Sequence, residues 1–100
     1  MRIAEVIGSL TLSRAHPSLI GARYLIAVPF SLEALKVDKP DGEDLVLVDE
    51  LGAAPGMRIG LSESAEAAAP FFPAKKPIDA YCACLLDETL IHEPNDQRRV

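Results

Sequence analysis

Aromatic and basic residues are scarce in this chain. It has no tryptophan, three phenylalanines and two tyrosines, and its ten lysines and arginines are outnumbered by fifteen aspartates and glutamates, for a formal net charge of -5. Proteins that bind single-stranded nucleic acid stack the bases on aromatic side chains in a basic groove, and an acidic surface repels phosphate. The composition therefore argues against a nucleic-acid partner.

Long apolar runs are also absent. Glu5 interrupts the N-terminal segment where a signal peptide would need an apolar core, and no stretch approaches the roughly 20 residues of a membrane span. We therefore expect a cytosolic protein with no membrane partner, whose two cysteines, Cys82 and Cys84, stay reduced. Two positions apart on a strand, they share a face and are poorly placed to bridge each other. Without a matching Cys or His cluster they predict core packing rather than a metal site.

No arrangement of side chains predicts catalysis or a cofactor. His16 precedes a proline in a loop and His92 lies in a polar C-terminal stretch, and neither has the serine, cysteine or aspartate pattern that is typical of a catalytic triad. Asp49 ends a predicted strand, where carboxylates commonly accept hydrogen bonds from turn amides. The segment Gly52–Gly56 lacks the Lys-Ser/Thr of a phosphate-binding loop. We therefore predict no enzymatic activity, no cofactor and no metal.

Apolar residues, by contrast, make up 49% of the chain. A chain of about 100 residues buries only roughly 65% of its unfolded surface, so part of this apolar surface is expected to contact another subunit. The run Tyr24–Val28 is apolar at every position, which indicates a strand covered on both faces. Both observations predict an oligomer.

Apolar patterns predict five short strands and one short helix. The strands are Ile3–Leu12, Tyr24–Val28, Leu45–Val48, Met57–Leu61 and Ile78–Leu86. Gly8 in the middle of the first strand indicates a bulge. The helix spans Ser62–Ala69, with acidic residues in its N-terminal turn and Pro70 after its last residue.

Strands of this length, with turn residues at regular spacing, indicate an all-β fold. We predict a small five-stranded β-barrel, OB-like, with the short helix between strands 4 and 5; the strand order stays open. Residues 1–87 form the barrel domain and residues 88–100 a C-terminal tail, in which Thr89–Ile91 is a candidate edge strand.

Three stretches, in order and at matching spacing, are similar to a known family. They are Arg2–Gly8 continuing through Ser13–Gly21 to Leu25–Val28, then Val48–Gly56, and finally Pro77–Ala80 continuing to Leu86 and Asp87. The first contains the family's Arg/Lys-x-Pro-x-Leu-x-Gly loop, the second resembles its Val-Asp-x-Val-Gly-Ala-Gly-x-Gly segment, and the third its Pro-Val-Asp-Ala strand. On these residues the chain resembles the EutN/CcmL family of bacterial microcompartment vertex proteins.

The resemblance implies a structural shell protein. Members of the family form five-fold rings that cap the vertices of a polyhedral shell, a carboxysome or a metabolosome, which hexameric shell proteins otherwise tile. It therefore implies a homopentamer with hexameric shell proteins as partners, located in a microcompartment shell in the cytoplasm. It also implies that Gly52, Ala53, Ala54, Pro55 and Gly56 form a turn that lines a narrow pore on the five-fold axis.

A ring of identical subunits needs two different complementary surfaces on each chain. The second and fifth predicted strands are hydrophobic on both sides, which fits this requirement. We predict Tyr24, Ile26, Val28, Tyr81 and Leu85 as residues of the subunit interface.

The chain departs from the family pattern in two places. Ala54 replaces the middle glycine of the turn, which strains the backbone if this position requires a positive φ. The segment Glu63–Ala67 lacks the arginine of the family's Gly-Ser-Ser-Ala-Arg. Two alternatives stay open: Gly52–Gly56 is an ordinary tight turn, and the chain is an OB-like binding module for single-stranded nucleic acid or a small ligand.

Overall fold

The computed structural model describes residues 1–92, whose five strands close into a β-barrel. The strands are β1 Arg2–Leu10, β2 Arg23–Pro29, β3 Leu45–Asp49, β4 Arg58–Glu63 and β5 Ala80–Leu86. Around the barrel their order is β1-β2-β3-β5-β4, and β3–β5 is the one parallel pair among antiparallel ones. The predicted barrel is confirmed, and the structure assigns the strand order that the sequence left open.

Short helical segments connect the strands. They are α1 Leu32–Val37, α2 Ala65–Ala68, and the 3-10 turns Pro17–Leu19 and Ala69–Phe71. The helix predicted between strands 4 and 5 is α2. It starts three residues later than predicted because Ser62 and Glu63 continue β4.

Helix α1, between β2 and β3, is an addition to the predicted elements. Its ends are well defined: the Ser31 hydroxyl accepts a hydrogen bond from the Ala34 N–H at 3.1 Å, and Asp38 ends the helix at φ 58°. Within the helix only Ala34 is buried, and the apolar Leu32 and Val37 are exposed, so the helix buries no continuous apolar face. Capping and packing of one small residue, rather than an amphipathic pattern, account for it.

Every strand contributes side chains to the core. Its buried members are Ala4, Val6, Leu25, Ala27, Leu47, Ala53, Ile59, Leu61, Ala80 and Cys82. Within each strand they follow the two-residue period that the sequence showed. Ala53 belongs to no strand, so the connection between β3 and β4 is itself part of the core. The predicted bulge at Gly8 is confirmed by a register shift against β2 between Val6 and Gly8.

A second bulge separates the two cysteines. Leu61 pairs with Cys82 and Gly60 pairs with Cys84, so one step along β4 matches two steps along β5. Adjacent residues of β4 face opposite sides of the barrel wall, and their partners therefore do so as well. The expectation that Cys82 and Cys84 share a face is wrong: Cys82 lies in the core, and the Cys84 sulfur lies 4.0 Å from the Met1 sulfur.

The segment after β5 has no regular secondary structure up to residue 92. The candidate edge strand Thr89–Ile91 is not formed, because a closed barrel leaves no free edge for it to join. The rest of the predicted tail, residues 93–100, lies outside the described residues. Among residues 1–92, no helix is both long enough and apolar enough to cross a membrane.

Candidate functional site

The turn that follows β3 is held by the side chain of Asp49. One carboxylate oxygen accepts a hydrogen bond from the N–H of Leu51 at 3.0 Å, and the other accepts from the N–H groups of Gly52 at 3.1 Å and Ala53 at 2.9 Å. The Arg23 guanidinium donates to the second oxygen at 2.5 Å. Arg23 reaches it because the two residues lie directly opposite each other on β2 and β3.

Asp49 is charged in the folded protein although its side chain is fully buried. Burial by itself would raise the pKa of Asp49. The hydrogen bonds from the N–H groups of Leu51 and Ala53, one from the Cys82 thiol and the positive charge of Arg23 outweigh this, so the pKa lies below its ordinary value of 3.8. The turn is thus organised around a buried, fully hydrogen-bonded carboxylate.

The far end of the turn is attached to β1. The Gly56 N–H donates to the Val6 carbonyl at 2.8 Å, and the Val6 N–H donates to the Met57 carbonyl at 2.9 Å. Ala53, between the end of the turn held by Asp49 and the end attached to β1, is fully buried, whereas Gly52, Pro55 and Gly56 are exposed. The turn therefore presents small residues on a base that is fixed at both ends.

Left-handed backbone occurs in this turn only at its two outer glycines. Gly52 has φ 84° and Gly56 has φ 89°, and the non-glycine residues of positive φ in residues 1–92 are Asp38 and Ser64. Ala54 is not among them. The replacement of the middle glycine by Ala54 therefore carries no left-handed strain.

The predicted interface residues of β2 occupy two different environments. Tyr24 is only 8% exposed, and its hydroxyl donates to the Leu19 carbonyl at 3.2 Å, so its own chain already covers it. Ile26 and Val28 are half-buried on the outer wall of the barrel, where Ile26 lies opposite Val46, which is 47% exposed. We call Ile26, Val28 and Val46 the outer-wall patch.

The predicted interface residues of β5, Tyr81 and Leu85, do not lie on the same face. The Tyr81 hydroxyl donates to the Glu50 carboxylate at 2.7 Å, which raises the pKa of Tyr81 to about 12. The Phe71 ring meets the Tyr81 ring edge-on at 5.5 Å. Leu85 follows the bulge and pairs with the core residue Ile59. The bulge therefore removes Leu85 from the face that the two-residue period assigned to it.

A cleft beside β3 contains residues that the sequence analysis did not select. Its volume is about 330 Å³, and its wall includes Leu19, Arg23, Glu50, Phe71, Lys76 and Ile78. The Lys76 ammonium donates to the Ser18 carbonyl at 2.8 Å, across 58 positions of sequence. It also lies 4.7 Å from the centre of the Phe71 ring. The pair Lys75-Lys76 was the only sequence signal here, and it did not distinguish the exposed Lys75 from the half-buried Lys76. We call this the Lys76 cleft.

Titratable side chains of the described residues outside the turn have local contacts. No group of three or more His, Cys, Asp and Glu side chains within residues 1–92 could hold a metal ion. The Nδ1 atom of His16 lies 2.7 Å from the Ser18 hydroxyl and accepts from the Ser18 N–H at 3.1 Å, which caps the 3-10 turn. Burial, followed by the nearby Asp49 charge, raises the pKa of Cys82 to about 12, so this thiol is a poor nucleophile.

Solved structures with the same fold include a microcompartment shell protein. The chain is 25% identical to the "GrpN pentameric microcompartment shell protein from Rhodospirillum rubrum", with a TM-score of 0.78 over 92% of this chain and 100% of that one. CcmL from Gloeobacter violaceus is 23% identical, with a TM-score of 0.80 over 91% and 90% of the two chains. The ethanolamine utilization protein EutN from Escherichia coli is 23% identical, with a TM-score of 0.76 over 91% and 89%.

Sequence comparison leads to the same group. No curated protein matches the chain. The model of the EutN_CcmL family, described as "Ethanolamine utilisation protein EutN/carboxysome", matches residues 1–87, a span that runs from the start of β1 to just past the end of β5. The chain therefore belongs to the EutN/CcmL family of microcompartment shell proteins.

Proposed function

We propose that this chain forms a homopentamer that caps the vertices of a polyhedral bacterial microcompartment. The observation that carries the proposal is the family match over residues 1–87, together with a likeness to a pentameric shell protein that spans the whole of that protein. Flat hexagonal tiling does not close, and pentamers supply the missing curvature. The role is structural: the ring closes the shell and performs no chemistry.

The turn Gly52–Gly56 is the part of each subunit that approaches the five-fold axis. Its side chains are small and uncharged, so five copies can come close without steric or electrostatic conflict. Hydrogen bonds attach the turn to Asp49 at one end and to β1 at the other. In a Cys84→Ser background, a Pro55→Cys variant should be crosslinked between subunits by a short bismaleimide. The exposed Leu32→Cys on α1 is the matched control and should not be crosslinked.

The outer-wall patch is one of the two surfaces that the ring requires. Ile26, Val28 and Val46 place an apolar area on the wall of β2 and β3, where solvent exposure is unfavourable for a lone barrel. Tyr81 belongs to the opposing surface of the next subunit, and Leu85, which is 43% exposed on a different face of β5, belongs to a separate part of the interface. The rim of the ring meets hexameric shell proteins, which places the pentamer in a microcompartment shell in the cytoplasm.

The native mass of the purified protein tests the proposal. A pentamer has five times the 10.8 kDa mass of the chain, and native mass spectrometry or light scattering separates it clearly from a monomer. A monomer that persists at high concentration would overturn the proposal and favour the OB-like binding module. Val46→Glu should break the ring, whereas Leu32→Glu, on a residue that is 59% exposed on α1, should leave it intact.

A further inference from the structure

Lys76 is a half-buried cation that forms no ion pair within the described residues. Its ammonium donates to one backbone carbonyl, that of Ser18, and lies against the Phe71 ring. Among residues 1–92, no carboxylate lies within salt-bridge distance of it. An ammonium has three donors, so the contacts within the described chain leave part of its hydrogen-bonding capacity unused.

The Lys76 cleft contains three other charged side chains, of which two neutralise each other and the third, Glu50, keeps its negative charge. Arg23 is paired with Asp49, and the Glu50 carboxylate accepts the hydrogen bond of Tyr81. The remaining wall contains apolar side chains, among them Leu19, Phe71 and Ile78. A surface that covers this cleft therefore meets apolar walls, an ammonium that has no ion pair, and the Glu50 carboxylate, one oxygen of which is already occupied by the Tyr81 hydroxyl.

Covering such a charge without a partner is unfavourable. A buried ammonium that loses its water needs an anion and hydrogen-bond acceptors in exchange. The chain carries fifteen acidic residues against ten basic ones, and exposed acids such as Glu43, Glu66 and Asp79 form no ion pair within residues 1–92. A second copy of this chain therefore has unpaired carboxylates that could pair with the Lys76 ammonium.

We propose that the Lys76 cleft receives an acidic side chain of the neighbouring subunit, which pairs with the Lys76 ammonium. This inference rests on the proposed homopentamer. The apolar walls beside the unpaired ammonium suit a protein surface with one carboxylate better than a free, fully hydrated anion. The pairing fixes the angular register of neighbouring subunits, because charge pairs across an interface discriminate between orientations.

The test compares two adjacent lysines in the full-length protein. Lys76→Gln removes the half-buried charge, and Lys75→Gln removes an exposed one and serves as the matched control. We expect Lys76→Gln to weaken association about 30-fold or more per interface, the equivalent of roughly 2 kcal/mol. Lys75→Gln should associate like the parent protein, and Lys76→Arg should retain most of the affinity.

Salt dependence separates an ion pair from a packing role. The parent pentamer should dissociate more readily as NaCl rises from about 0.05 to about 0.5 M, and Lys76→Gln should lose most of this dependence. Sedimentation or mass photometry measures both, and circular dichroism checks that each variant is folded. In a Lys76→Glu background, each exposed Glu or Asp is replaced by Lys, one at a time. The ring should form again only when the replaced residue is the one that pairs with position 76.

The outcomes distinguish this inference from the proposed function. A pentamer of Lys76→Gln with the affinity and salt dependence of Lys75→Gln would overturn the inference and leave the vertex role standing. A parent pentamer that is insensitive to salt would also overturn it, and this measurement needs no variant. If the pentamer forms only with added acetate or phosphate, the ligand of Lys76 is a small anion and the proposed pairing with a carboxylate of the neighbouring subunit is wrong. A monomeric parent protein would instead remove the proposed function.

Discussion

Removal of the Asp49 carboxylate should destabilise the barrel by several kcal/mol. In Asp49→Ala, three backbone N–H groups and the Arg23 guanidinium lose their acceptor. The N–H of the buried Ala53 then has no partner, at a cost of about 1–3 kcal/mol. Leu51, Gly52 and the half-exposed Arg23 can turn to water, so they add less. We estimate a total of about 3 kcal/mol, a large fraction of the 5–15 kcal/mol that stabilises a typical domain.

The assay is urea denaturation of Asp49→Ala and Asp49→Asn at matched protein concentration, since assembly shifts apparent stability. Asp49→Asn keeps one oxygen acceptor but loses the charge, so we expect a loss of about 2 kcal/mol. Asp44→Asn, on an exposed residue, is the control and should change stability by less than about 0.5 kcal/mol. A loss below about 1 kcal/mol in Asp49→Ala would refute the view that this carboxylate organises the turn.

The same residue predicts a pH dependence whose sign follows from its pKa. Because the folded pKa of Asp49 lies below the ordinary value of 3.8, its ionised form stabilises the fold above that pH. The stabilisation is lost as pH falls through the lower folded pKa. The stability gap between the parent protein and Asp49→Asn should therefore narrow below pH 3.8. The lowered pKa values of Asp41 and Glu63 affect both proteins alike and cancel in the difference. A gap that is constant across this range would contradict the assignment.

Three further predictions concern backbone strain and thiol exposure. Ser64, at φ 58° and ψ -140°, occupies a region that favours glycine, so Ser64→Gly should stabilise the barrel by about 1 kcal/mol in urea denaturation, whereas Ser62→Gly, within β4, should destabilise it. Gly52→Ala should cost about 1 kcal/mol in the same assay because Gly52 has φ 84°; equal stability would show that the turn relaxes. Maleimide followed by peptide mass spectrometry should modify Cys84 and spare Cys82 until the protein unfolds, because Cys82 is fully buried and its pKa is about 12; equal labelling would contradict the bulge in β5.

Much of the barrel could be predicted from local pattern. Inward residues such as Val6, Leu25 and Ile59 recur with the two-residue period of a strand, and a strand with one face in a core imposes that period on any sequence. Helix α1 escaped prediction because its stability comes from the Ser31 cap and the left-handed Asp38 rather than from an apolar stripe. A single-residue bulge has no sequence signature without a glycine to mark it, so the face of Leu85 could not be predicted.

The candidate site also has a part that the sequence predicts and a part that only the structure shows. The small residues of Gly52–Gly56 mark a turn from sequence alone, because a composition without bulk or charge suits close approach of backbones. That Arg23 neutralises Asp49 and that the Lys76 ammonium reaches the Ser18 carbonyl depend on contacts across 26 and 58 positions of sequence. The sequence by itself determined the strands and the turn, because each depends on residues close together in the chain, and the family, because its motifs follow one another in order along residues 1–87. Only the tertiary structure decided which charges are paired within the chain and which are not, because ion pairing depends on distances between residues that are far apart in sequence.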